Sequence, residues 1–216
     1  MFGRRFLDDE RGSAAEFALV LPLAMAFLFG IIDAGRYMWQ VNQAEKATQA
    51  GARAAATTAM IPDGLINHSF SVSNGVPQGA PVPTNHFTGI RCVGTTAGAA
   101  PACTWIAIPG VTLSNTSSNI TLNPSAARFA TVLARMKVFM PNLAPSNVTV
   151  SYLNSGLGFA GDPSGPDISP VIRVQLSGMQ FRPILTSVFG LNWNLPPSPY
   201  SITQEDGQGA CYEEIC

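Results

Sequence analysis

The sequence predicts an α+β chain in which a long N-terminal helix crosses a membrane and continues beyond it, packed with a small antiparallel sheet and one further helix. Three observations predict it. Residues 17–32 (FALVLPLAMAFLFGII) carry no charge. No proline interrupts the chain between Pro22 and Pro62, and residues 44–59 are rich in alanine, the strongest helix former. From Pro62 onward proline and glycine recur, and short runs alternate apolar with polar residues. A chain of 216 residues accommodates such a helix plus one domain of about 150 residues with a sizeable core. The expected organisation is a charged leader over residues 1–12, the membrane and extended helix over 13–59, and an α+β domain over 60–216.

Only Glu16 and Asp33 bound the apolar stretch, and with residues 12–15 and 34–35 it approaches the roughly 20 residues that span a bilayer. It is apolar on every face, whereas a core helix of a soluble protein is amphipathic. Pro22 is tolerated near the first turns or as a kink. Arg4, Arg5 and Arg11 precede the stretch and only Arg36 follows closely, so the N-terminus is expected in the cytoplasm and everything past Asp33 is exported. A cleavable signal peptide fits less well, because Ile32-Asp33-Ala34 is a poor match to an A-x-A cleavage site.

A helix from 13 to 59 extends about 70 Å, more than twice the hydrocarbon thickness, so its outer part must pack on something. Tyr37, Val41, Ala44, Thr48, Gly51 and Ala55 recur at three- and four-residue steps and form a face of mainly small residues that permits close approach. Gln43, Lys46, Gln49 and Arg53 form the wetter side. Asp33 and Arg36, one turn apart, read as a simple interfacial pair.

After Met60, Pro62, Pro77, Pro81, Pro83 and Pro101 exclude helix over 61–101 and predict short strands with long loops. Residues 104–114 (TWIAIPGVTLS) predict an edge strand or a hairpin turning at Pro109-Gly110. Asn123 as N-cap and Pro124 at the first position open a helix that reaches Met140 before Pro141, with Phe129, Val132, Leu133, Met136 and Met140 on one face. Residues 147–153 and 171–176 alternate as strands, joined by a Gly- and Pro-rich loop, and 179–184 extends the second strand.

Cys92, Cys103, Cys211 and Cys216 all lie beyond the membrane stretch, and an even count in an oxidising compartment points to disulfides. The short loops favour Cys92–Cys103 and Cys211–Cys216, with free thiols as the alternative.

Signs of chemistry are sparse. Charged residues make up 12% of the chain, the net charge is -1 and the basic residues are dispersed, which excludes a nucleic-acid footprint. Gly156, Gly158 and Gly161 satisfy G-x-G-x-x-G, but Asp162-Pro163 follows where a helix should open, so the run reads as a loop. The cysteine spacings do not fit zinc, and His68 and His86 lack companion ligands. No G-x-S-x-G, H-E-x-x-H or phosphate loop occurs. No catalytic residue, metal or cofactor is expected, and the chain does not read as an enzyme.

The order of features around residue 12 is unusual for a plain anchor. A leader RRFLDDERG ends in Gly12; small Ser13, Ala14 and Ala15 follow; Glu16-Phe17 then opens the apolar run. This resembles the processing site of Flp-class type IV pilins and TadE-like pseudopilins, where a prepilin peptidase cuts after the glycine. Glu16 would be the fourth residue after the cut, against the fifth that is usual in the Flp class. The resemblance continues through Gly30-Ile31-Ile32-Asp33-Ala34-Gly35-Arg36, Asn42-Gln43 and Gly51-Ala52-Arg53-Ala54-Ala55, covering residues 11–59.

The resemblance implies a minor pilin-like subunit for assembly of a Flp/Tad-type pilus. Gly12, Ser13, Glu16 and Phe17 would form the processing site, and Glu16, Tyr37, Ala44, Gly51 and Ala55 the subunit contacts. The partners it implies are a prepilin peptidase, other pilin-like subunits, inner-membrane platform proteins and membrane lipid. The implied location is the bacterial inner membrane, single-pass, with the domain in the periplasm or at the pilus. Without the family, Glu16 reads as a membrane-edge charge favoured by the helix dipole. A different reading is a membrane-tethered adhesin or binding module, with the Pro-rich loops of 62–101 as its recognition surface.

Overall fold

A computed structural model describes residues 10–163, 165–187 and 190–204, with side chains from residue 16 onward. In chain order the elements are α1 (Glu10–Thr57), α2 (Phe70–Asn74), β1 (Ile90–Val93), β2 (Ala102–Trp105), α3 (Asn115–Ser118), α4 (Ala126–Lys137), β3 (Val148–Leu153), β4 (Val171–Leu176), β5 (Gln180–Phe181), α5 (Ile184–Ser187), β6 (Trp193–Asn194) and β7 (Ser198–Thr203). The architecture is α+β. The single further helix of the sequence reading corresponds to α4, and three shorter helices join it. The chain divides into two compact units, Met1–Val41 with Gln180–Asn194, and Asn42–Met179 with Leu195–Cys216.

In the second unit an antiparallel sheet has the order β2-β1-β3-β4-β7. Alternation along its strands sends Ile90, Cys92, Val148, Val150, Tyr152, Ile172, Val174 and Leu176 into the core. Phe129, Val132 and Met136 of α4 belong to the same core, as do Ala44, Ala47, Ala52, Ala55 and Ala56 of α1. The small face of α1 is thus used for packing: at Gly51 an added Cβ would lie 2.7 Å from Cγ of Met136. Tyr152 is fully buried and its hydroxyl accepts the N–H of Ile61 at 3.0 Å, tying the chain just past α1 to the central strand. Burial pushes its phenol well above the usual range.

Several expectations are corrected. Helix does occur in 61–101: α2 fits between Pro62 and Pro77, capped by the Ser69 side chain and ended by Gly75 at φ 69°. The strand expected over 104–114 stops at Trp105, and Pro109-Gly110 makes a turn with no returning strand. Helix α4 starts two residues later than expected. Asn123 adopts φ 42° and Pro124 bridges Pro62, leaving Ser125 to cap the helix by accepting from the N–H of Arg128. The helix proper ends at Lys137, although the N–H of Met140 still bonds to the Met136 carbonyl, so a final turn reaches Pro141.

Residues 179–184 do not extend β4. Gly178 at φ 69° ends that strand, β5 pairs with β6 instead, and α5 begins at Ile184. Strand β7 was missed because its sequence is proline-rich; it lies at a sheet edge, where Pro199 opposes Gln175 and its missing N–H is tolerated.

The Pro-rich segment is not a free display of loops. Ile61, Leu65, Phe70, Val76, Val82 and Phe87 are all buried. Deleting 62–101 would remove a wall of the core, so the deletion that a loop-borne adhesin invites would unfold the domain.

Candidate functional site

Within the first unit, the distinctive geometry gathers around Asp33, the first charged residue after the apolar stretch. Its side chain is buried; Oδ1 accepts the N–H of Ile184 at 2.8 Å and Oδ2 the N–H of Leu185 at 2.9 Å. These are the first two residues of α5, whose preceding residue is Pro183, a side chain unable to cap. Asp33 therefore supplies from α1 the N-terminal acceptor that the local sequence lacks. Arg36 donates to Asp33 Oδ1 at 3.0 Å and its guanidinium lies 5.5 Å from the centre of the Phe181 ring. Tyr37 meets Phe181 edge-on at 5.5 Å and Trp193 at 6.4 Å. Two backbone N–H groups and one guanidinium thus satisfy the carboxylate, and Phe181, against that guanidinium, packs with Tyr37 and Trp193.

Burial along α1 reverses what size would dictate. The large residues Phe17, Leu19, Phe27 and Ile31 are 65%, 76%, 68% and 70% exposed, while the small Ala47 and Ala52 are fully buried. Exposed apolar area is unfavourable in water by about 25 cal/mol per Å², so the N-terminal half of the helix needs a cover that the described residues do not provide. Among the described residues, Glu16–Thr57 is a helix long and apolar enough to cross a membrane. Its most apolar window is only 6% buried, unlike the core helix of a soluble protein.

Gly12 and Ser13 fall in the first turns of α1, and their surroundings lie outside the described residues. Glu16 and Phe17 are exposed on the helix. Ala44, Gly51 and Ala55 are buried within their own domain, so that close approach is spent inside the subunit, and Tyr37 packs on β5 and β6. Cys92 and Cys103 sit directly opposite each other on β1 and β2 and are joined by a disulfide. Cys211 and Cys216 lie outside the described residues.

Residues 12–53 match the model of the TadE-like protein family. The match covers nearly a fifth of the chain and runs from the foot of α1 to the arginine that follows Gly51-Ala52. No curated protein and no solved structure matches the chain. The TadE-like family is associated with Tad pili and has a structural role, which implies a pilin-like protein that meets other pilus components. One apolar N-terminal helix is in keeping with a single-pass membrane protein of such a system.

The TadE-like segment contains Asp33, but its link to α5 was not legible. The only available signal was a helix start after Arg182-Pro183 with no local cap. The fold also joins the two histidines that the sequence left apart. His68 Nε2 donates to Asn74 Oδ1 at 2.7 Å, and Asn74 Nδ2 lies 3.3 Å from His86 Nδ1 and 2.7 Å from Ser117 Oγ. This is a polar cluster of His, Asn and Ser side chains; among the described residues no group of three or more His, Cys, Asp or Glu could hold a metal ion.

Proposed function

We propose that the chain is a minor pilin-like subunit, a pseudopilin, for assembly of a Flp/Tad-type pilus, acting through helix packing and not through chemistry. The observation that carries it is the coincidence of the family match over 12–53 with a helix that is exposed and apolar at its start and buried in its own domain at its end. In this reading a prepilin peptidase removes the leader after Gly12, the exposed half of α1 sits in the inner membrane, and the domain faces the periplasm. Contacts with other subunits and with platform proteins then fall on Glu16, Phe17 and the exposed apolar face, because Ala44, Gly51 and Ala55 are occupied within the domain. Glu16 at the helix N-terminus is favoured by the dipole and, when desolvated, demands a cationic partner such as the freed amine of a neighbouring subunit.

The test is the mass and N-terminal sequence of the mature protein from cells with and without a prepilin peptidase. A terminus at Ser13 that disappears without the peptidase supports the reading. A leader retained in both strains rejects processing and reduces Glu16 to a membrane-edge charge.

A further inference from the structure

We propose that α5 and β6 form a second membrane-contacting element, a foot that lies in the lipid headgroup layer where α1 leaves the bilayer. The inference rests on the membrane reading of α1 and adds a contact that the helix alone does not make.

Three observations within the first unit carry it. Asp33 ends the charge-free run, and at 1.5 Å per residue it stands about 26 Å along the helix from Glu16, so these two carboxylates bracket a span close to the hydrocarbon thickness. The paired acceptance of the Ile184 and Leu185 N–H groups pins the start of α5 to that level. The surface so placed is apolar and exposed: Ile184, Leu185, Leu191 and Trp193 keep 43%, 36%, 55% and 50% of their surface.

The remaining chemistry of this surface identifies its occupant as a phospholipid interface. Trp193 and Tyr37 are in edge contact one turn beyond Asp33, and Trp39 is 62% exposed on the same stretch of helix, the placement expected of an interfacial aromatic belt. Arg36 is partly exposed and Arg182 is exposed, so cations for phosphate groups accompany the apolar residues. Continuity with the exposed apolar face of α1 favours lipid over a folded partner, since one solvent covers both.

The experiment uses the full chain in vesicles of phosphatidylethanolamine and phosphatidylglycerol doped with brominated phosphatidylcholine, and reads tryptophan quenching. Three single-tryptophan proteins are compared: Trp193 alone (W39F/W105F), Trp105 alone (W39F/W193F), and Phe27→Trp in a background with all three native tryptophans changed to phenylalanine. The expected result is loss of Trp193 emission, stronger with bromines near the carbonyl end of the acyl chain than near the methyl end, as for groups about 5–10 Å into the interface. Position 27 should be quenched by the deeper bromines and Trp105 by neither. Quenching at 27 with none at Trp193 overturns the foot and leaves the membrane helix standing. If Trp193 is instead shielded only as protein is crowded in the vesicle, the surface belongs to a second copy and the foot is again overturned. No quenching at 27 removes the membrane reading and the foot with it. In the Trp193 protein, Asp33→Ala should release the foot and restore emission; unchanged quenching there, while the same substitution in the Trp105 protein leaves Trp105 emission that of an intact domain, rejects Asp33 as the pin.

Discussion

Asp33 Oδ1 and the backbone nitrogen of Ile184 lie 2.8 Å apart across 151 residues of sequence. A carboxylate at the end of an apolar run is costly unless its lone pairs are used, and here two N–H groups and a guanidinium use them. The same contact gives α5 the cap that Pro183 cannot. Asp33→Ala should therefore loosen α5 by about 1 kcal/mol, the usual worth of an N-cap, and speed amide exchange at Ile184 and Leu185 about five-fold. Asp33→Asn, which keeps one acceptor oxygen, should fall between. Hydrogen exchange of the protein in detergent, resolved to these residues, checks it; unchanged exchange in the alanine variant would remove Asp33 as the cap.

Tyr152→Phe keeps the ring in the core and deletes the acceptor of the Ile61 N–H. A buried donor left unpaired costs about 1–3 kcal/mol, which denaturant unfolding of the variant should show. The phenol also makes stability pH-dependent. Its folded pKa lies above the ordinary 10.0, so the native state holds the proton more tightly than the unfolded chain. Stability from this group is complete below pH 10.0 and declines as pH rises beyond it, because only the unfolded state can ionise freely. The variant should lack that component of the alkaline decline.

The disulfide between Cys92 and Cys103 closes a loop across a sequence separation of 11, next to the sheet edge. Opening it should cost about 2–3 kcal/mol, the value for a short loop. Thermal unfolding with and without reductant measures this, and Cys92→Ala/Cys103→Ala should match the reduced protein. A further drop when that double variant is reduced would assign the remainder to Cys211 and Cys216.

Gly51 of α1 faces Met136 of α4. A Cβ there would stand 2.7 Å from Cγ and 2.8 Å from Sδ of Met136, distances that side chains do not tolerate. Gly51→Val should destabilise the domain by about 1–3 kcal/mol despite the better helix propensity of most residues over glycine. Met136→Ala in the same chain should return part of that loss, and a double-mutant cycle of unfolding midpoints tests the coupling. Additive effects would mean that the two residues do not oppose each other.

Features written locally were readable from the residues. The uncharged run of 17–32, the proline-free stretch up to Pro62 and the Gly12-to-Phe17 order lie along one helix, where neighbours in sequence are neighbours in space, and the family match falls on that region. The alternation of β3 and β4 and the face of α4 follow from period alone. Other features depended on partners far away. Ser125 caps α4 because Asn123 is held at φ 42°, and β7 tolerates Pro199 because it lands on an edge. Likewise, α1 places its small residues Ala44, Ala47, Ala52 and Ala55 in the core of its own chain. Asp33 is the sharpest case. Its charge and position were plain, but its partners are two backbone N–H groups, which every residue except proline possesses and no side-chain letter reveals.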